Sequence, residues 1–200
     1  MKSFVPHNVV LSCHLETPSQ WVRGIAVRVC QTQGGSIALT YFLDGDLARI
    51  CIPEQRSARR AGALWEHTCF EAFIALKGAP AYCEFNFVPS GEWAAYAFRD
   101  YRNGEASAQD LNPQIVVRGA RNRLELDAIM GRDSLPALKP GARPRLALCA
   151  VVEEQGGALS YWALRHAAGR PDFHHPDAFA LELDPPDMDA VSNPAYTSKP

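Results

Sequence analysis

The 200-residue chain has no apolar run approaching the roughly 18 residues of a membrane helix, and none of its six cysteines forms a C-x-x-C pair. The first absence argues against a helical membrane anchor. The second removes the usual zinc and dithiol spacings, and C-x-x-C-H, the signature of covalent haem attachment, is missing too. No stretch is dense in Lys and Arg, and the formal net charge is −2, so a nucleic-acid backbone has no cationic track to follow. The one basic cluster, Arg56 to Arg60, reads as a solvated loop. No apolar segment of signal-peptide length precedes Pro6 and His7. Cys13, Cys30, Cys51, Cys69, Cys83 and Cys149 are scattered, and Cys69 and Cys83 lie among apolar neighbours, where a free thiol packs as a small hydrophobe. These features predict a cytoplasmic protein with reduced cysteines, no nucleic-acid partner and no membrane association. Long helical periodicity and internal repeats are also missing.

What the sequence does contain is strand patterning. Hydrophobic residues make up 47% of the chain, enough for a sizeable core. Residues 8–14 form a first strand. Residues 22–29 and 36–43 flank a Gly34-Gly35 turn and read as a hairpin. A strand over 47–52 follows, then a polar loop over 54–63. Residues 115–118 and 124–129 suggest a second hairpin, and the Pro-rich stretch 131–144 a crossing loop. Strands over 145–152, 159–164 and 178–183 complete the pattern, with an irregular His-rich loop over 165–176. About ten or eleven short strands at regular spacing predict an all-β antiparallel two-sheet sandwich. A single domain over 1–183 and a disordered, Pro-rich tail over 184–200 are expected.

The most informative stretch is LWEHTCFEAFIALKGAPAYCEFNFV at 64–88. It reads as two strands joined by Lys77-Gly78-Ala79-Pro80. Alternation puts Phe70, Ala72 and Ile74 on one face with Phe85 and Phe87, a core set. Trp65, Glu71, Glu84 and Asn86 fall on the other. If paired residue numbers sum to about 157, Glu71 lies opposite Asn86 and diagonal to Glu84. An indole, two carboxylates and an amide on one face suit a small polar ligand. Two nearby carboxylates also invite a glycosidase reading, but no hydrolase motif accompanies them, and an enzyme is not expected.

Three stretches resemble a known group: LWEHTCFEAFI at 64–74, YCEFNFVPSGEWAAYAF at 82–98 and YWALRHAAGRPDFHHPDAFALEL at 161–183. They are similar to DOMON-like domains, relatives of family 9 carbohydrate-binding modules. The resemblance implies a jelly-roll or immunoglobulin-like β-sandwich that binds sugar or haem. For a sugar, it implies Trp65 as the stacking plate and Glu71, Glu84 and Asn86 as the hydrogen-bonding set. Asp172, Phe173 and His175 then form the wall contributed by the C-terminal loop, which carries no Trp. The expected function is therefore non-catalytic binding of a saccharide-like molecule. The alternatives are haem, with His67 or His175 as axial ligand, and a protein-interaction module with no small ligand. No resident cofactor or metal is expected; adjacent His174 and His175 point to opposite sides of an extended segment and do not readily share an ion.

Overall fold

Strand β1 (His7–Cys13) changes partner partway along its length, and that switch joins the two halves of the fold. The computed structural model describes residues 6–32, 35–106, 113–132, 135 and 141–185. Residues 7–11 pair antiparallel with β2 (Val22–Gln31), while Ser12 and Cys13 pair with β12 (Leu159–Ala163). On the β2 side the order continues through β3 (Ile37–Gly45), β10 (Arg123–Met130) and β9 (Gln114–Ala120). On the β12 side it continues through β11 (Pro144–Glu153), β5 (Cys69–Leu76), β6 (Tyr82–Phe87), β7 (Glu92–Asp100) and β4 (Arg59–Arg60). Strands β8 (Asn103–Ala106) and β13 (Leu181–Glu182) attach to β7 and β11. Every pairing is antiparallel except β4 with β7, so the all-β expectation holds but the sheet is mixed. The prediction of two separate sheets is corrected: hydrogen bonding is continuous from β4 to β9, because β1 is long enough to serve one half with each end.

The sheet curls until its apolar faces meet. In β2, β3 and β10 the period-2 pattern turns Ile25, Val27, Val29, Leu39, Tyr41, Leu43, Leu124 and Leu126 inward. They pack against Phe70, Ala72, Ile74, Phe85, Phe87, Leu146 and Leu148 from the other half. Tyr41 crosses this interior: its hydroxyl donates to the Glu71 carbonyl at 2.7 Å and its ring sits 5.0 Å from Phe70. The buried hydroxyl thereby finds the partner it requires, and the strand bearing Glu71 is tied to the opposite half.

Strands β5 and β11 differ from β2 and β3 in being buried on both faces. Their second face holds another apolar cluster, Phe73, Tyr82, Ala147, Cys149 and Val151, covered by Phe173, Ala178 and Phe179. A strand buried on both sides reads as a continuous apolar run, which is how ALCAVV at 147–152 looks in the sequence.

Other differences have local causes. Residues 47–52 are not a strand: Asp46 accepts from the Ala48 N–H at 3.3 Å and caps a short 3-10 turn over Leu47–Arg49, leaving only an isolated bridge from Ile50 to Glu154. The strand expected from residue 64 begins at Cys69, after a 3-10 turn over Leu64–Glu66. Residues 178–183 hold a 3-10 turn, Pro176–Ala178, followed by the short β13. Within the presumed polar loop, β4 is recruited to the sheet by Arg59, which ion-pairs with Glu92 on β7. Both predicted hairpins form, as β2–β3 and β9–β10. The crossing loop at 131–144 lies largely outside the described residues, as does the tail beyond 185.

Candidate functional site

Cross-strand partners share a face, so the register fixes what surrounds Glu71. Glu71 pairs with Asn86 and Cys149, Phe73 pairs with Glu84, and Glu84 pairs in turn with Tyr96. Val151 pairs with Tyr161 on β12. The same face therefore carries Glu71, Glu84, Asn86, Tyr96, Val151 and Tyr161 across five strands. Over it runs the segment 164–180, which brings down Pro171, Phe173 and His174. Between floor and roof is a cleft of about 370 Å³, bounded also by Trp65, Phe98 and Arg102. That volume lies at the small end of ligand pockets, roughly 300–1,000 Å³.

The roof is tethered at four places. Arg102 Nη2 donates to Asp172 Oδ1 at 2.8 Å and the Tyr101 hydroxyl donates to Asp172 Oδ2 at 2.6 Å. Arg145 Nη2 donates to the Phe179 carbonyl at 2.6 Å. His14 Nε2 donates to the Gly169 carbonyl at 3.0 Å, its other nitrogen accepting from the Glu16 N–H, and His166 Nε2 donates to the Ser12 carbonyl at 2.8 Å. Arg102 sits at φ 57° and Ala63, beside the Trp65 turn, at φ 55°. Both are left-handed conformations unfavourable for residues with a Cβ, held in place by their surroundings at the rim of the cleft.

A hydrogen-bond relay sets the state of His174. The Arg102 N–H donates to the Tyr82 hydroxyl oxygen at 3.1 Å, leaving the Tyr82 O–H to donate to His174 Nδ1 at 2.9 Å. With Nδ1 an acceptor, the neutral ring carries its proton on Nε2, which faces Glu84 Oε2 at 3.8 Å. Burial, aided by the nearby Arg102 charge, holds the His174 pKa down at about 4.

The floor carboxyls are pushed the other way. Burial raises Glu84 to about 7, against the opposing pull of the Asn86 hydrogen bond and the Arg102 charge. Burial, and then the charge of Glu84, lifts Glu71 well above the usual carboxylate range. Asn86 Nδ2 donates to Glu84 Oε1 at 2.8 Å, but Asn86 Oδ1 and Glu71 Oε1 are buried without a hydrogen-bond partner among the described residues. Asp172 is held below its ordinary value: burial raises it, but the bonds from Tyr101 and Arg102 outweigh that.

These shifts predict a pH dependence of stability. From about pH 4.5 to about 7 the folded chain keeps a Glu84 proton that the unfolded chain has lost, so stability falls as pH rises. His174 opposes this from about pH 4 to 6.5, where only the unfolded imidazole is protonated. Glu71 adds to the Glu84 effect, so two groups outweigh one. Urea unfolding is expected to show a more stable protein at about pH 5 than at about pH 7.5, with Glu84→Gln narrowing the difference.

Five of the seven residues expected at the site converge there. Trp65, Glu71, Glu84 and Phe173 line the cleft, and Asn86 stands on its floor bonded to Glu84. Asp172 does not line the cleft; it anchors Arg102 and Tyr101. His175 does not line the cleft, whereas its neighbour His174 does; His175 Nδ1 accepts from the Asp177 N–H at 3.2 Å as the cap of the turn at Pro176–Ala178. With His175 spent on this cap, it is His174, beside Phe173, that reaches the cleft. Tyr96, Phe98, Arg102 and Tyr161 were not expected. Arg102 is placed by the two-residue β7–β8 turn, Tyr101-Arg102, which carries neither Gly nor Asn to announce it.

Neither histidine expected as a haem ligand borders the cleft. His67 is exposed and hydrogen-bonded to Glu153 at 2.8 Å, and His175 caps the turn at Pro176–Ala178. Among the described residues no His, Cys, Asp and Glu grouping suits a metal ion, and no helix is long and apolar enough to cross a membrane.

Phe98 stacks on Tyr82 at 4.6 Å, and Gly104 lies so close that a Cβ there would come within 2.6 Å of Phe98 Cγ. Gly104→Ala is expected to displace Phe98 from Tyr82 and cost about 1–3 kcal/mol, read by urea unfolding.

No protein-family model and no curated protein sequence matches the chain. Solved structures do match in fold. A Bacteroides uniformis protein assigned to carbohydrate binding aligns over 87% of this chain and 83% of its own, with TM-score 0.65 and 15% identity. A family 9 carbohydrate-binding module from Caldicellulosiruptor kristjanssonii, solved with cellotriose, aligns over 91% and 78%, with TM-score 0.50 and 9% identity. The chain shares their fold.

Proposed function

We propose that the chain is a non-catalytic carbohydrate-binding protein whose ligand seats between Trp65 and the roof segment 164–180. The supporting observation is the cleft itself: an aromatic rim of Trp65, Tyr96, Phe98, Tyr161 and Phe173 around a floor of directional polar groups. A pyranose has an apolar C–H face and a ring of hydroxyls, and needs both. Trp65 is the stacking plate. Glu71 and Glu84 accept from hydroxyls, and the His174 Nε2–H and Arg102 offer donors. The likeness of 64–74, 82–98 and 161–183 to DOMON-like domains belongs to this reading, as does its relation to family 9 modules.

Titration calorimetry with a panel of glucose, cellobiose, cellotriose, xylose and glucosamine tests the assignment. At least one sugar is expected to give a saturable heat with one site per chain. No heat with any of them removes the proposal.

A further inference from the structure

We infer that the ligand of this cleft carries a positively charged amine, and that among sugars it is an amino sugar with a free ammonium group rather than a neutral one. This rests on the saccharide reading and narrows it. Once its carboxyls ionise, the floor presents more acceptors than donors. Glu71 is only 3% exposed and lines the cleft, and its Oε1 has no hydrogen-bond partner among the described residues. Asn86, its direct cross-strand partner, has a buried Oδ1 in the same condition. As the amide is placed, its Nδ2 is spent on Glu84 Oε1 and its Oδ1 is left over. Glu84 contributes a third acceptor, Oε2, which His174 Nε2 faces at 3.8 Å.

The cations nearby do not balance the two carboxyls. Arg102 is ion-paired with Asp172 at 2.8 Å, and burial together with the Arg102 charge keeps His174 neutral. A sugar hydroxyl brings one donor and also an acceptor that would need its own partner. An ammonium brings three donors, no acceptor and a positive charge, which matches three neighbouring acceptors. The rim adds to this, since the faces of Trp65 and Tyr96 attract a desolvated cation.

The experiment is calorimetry at pH 6.5 with D-glucosamine, D-glucose and N-acetyl-D-glucosamine, the glucosamine titration repeated in two buffers of different ionisation heat. Glucosamine is expected to bind about tenfold or more tighter than the other two and to release protons, because the ammonium displaces those held by the floor carboxyls. Glu71→Gln and Glu84→Gln are each expected to erase the preference. Glucose or N-acetylglucosamine binding as tightly as glucosamine overturns the inference and leaves the saccharide reading standing. Absence of binding by all three and by the wider panel overturns both. The wild-type ratio decides the matter even where a variant fails to fold.

Discussion

Trp65→Ala weakens binding of the tightest sugar by about thirty-fold or more, while the unfolding midpoint barely moves. Both halves follow from where the indole sits. It is 43% exposed and makes one edge contact with Tyr96, at 5.8 Å, so little of the fold depends on it. A bound sugar would bury its open face, and anchoring Trp residues of this kind contribute about 2 kcal/mol or more when truncated. Calorimetry with wild type and Trp65→Ala, beside urea unfolding of both, checks the pair of expectations. An unchanged affinity would mean that the indole is not the plate. Trp65→Phe should retain part of the affinity, since a smaller ring still offers an apolar face.

The second large effect is on stability. Phe73→Ala removes a fully buried ring and is expected to cost about 3–5 kcal/mol in urea unfolding. Its position adds a consequence that other core phenylalanines lack. Phe73 meets His174 at 5.0 Å and Phe179 at 6.4 Å, so it supports the roof from below. Deleting it should loosen 164–180 and speed tryptic cleavage after the exposed Arg165. Phe85→Ala, on the opposite face of the sheet and packed in the main core, is the comparison. It should destabilise by a similar amount without selectively exposing the roof. Equal cleavage of the roof segment in both variants would remove the supporting role given to Phe73.

The two variants also separate binding from folding. Trp65 and Glu71 both border the cleft, but they stand at opposite extremes of exposure. The floor is rigid because it is sheet, buried on both faces and paired on both sides. The roof has little regular structure and depends on a few polar tethers, such as Arg102 to Asp172 and His14 to Gly169. A ligand that bridges floor and roof would therefore be expected to stabilise the roof most, measurable as slower hydrogen exchange over 164–180.

The sequence alone determined the β class, both hairpins and the pairing of Glu71 with Asn86. Each of these is written in nearest-neighbour terms: a period of two, a glycine turn, a short loop that fixes register. It also separated Phe70, Ala72 and Ile74 from the acidic face, since alternation cannot be mistaken over so regular a run. The three-dimensional fold alone decided what covers that face. The cap that occupies His175 is local, its Asp177 partner two residues on, but the Tyr82 hydroxyl that receives His174 lies 92 residues away. Nothing local makes Arg102 part of the site either, because its partner Asp172 is 70 residues further on. The single curled sheet in place of two separate ones was hidden for the same reason. Whether β1 serves one neighbour or two is a matter of long-range pairing, and alternation along one strand carries no record of its partners.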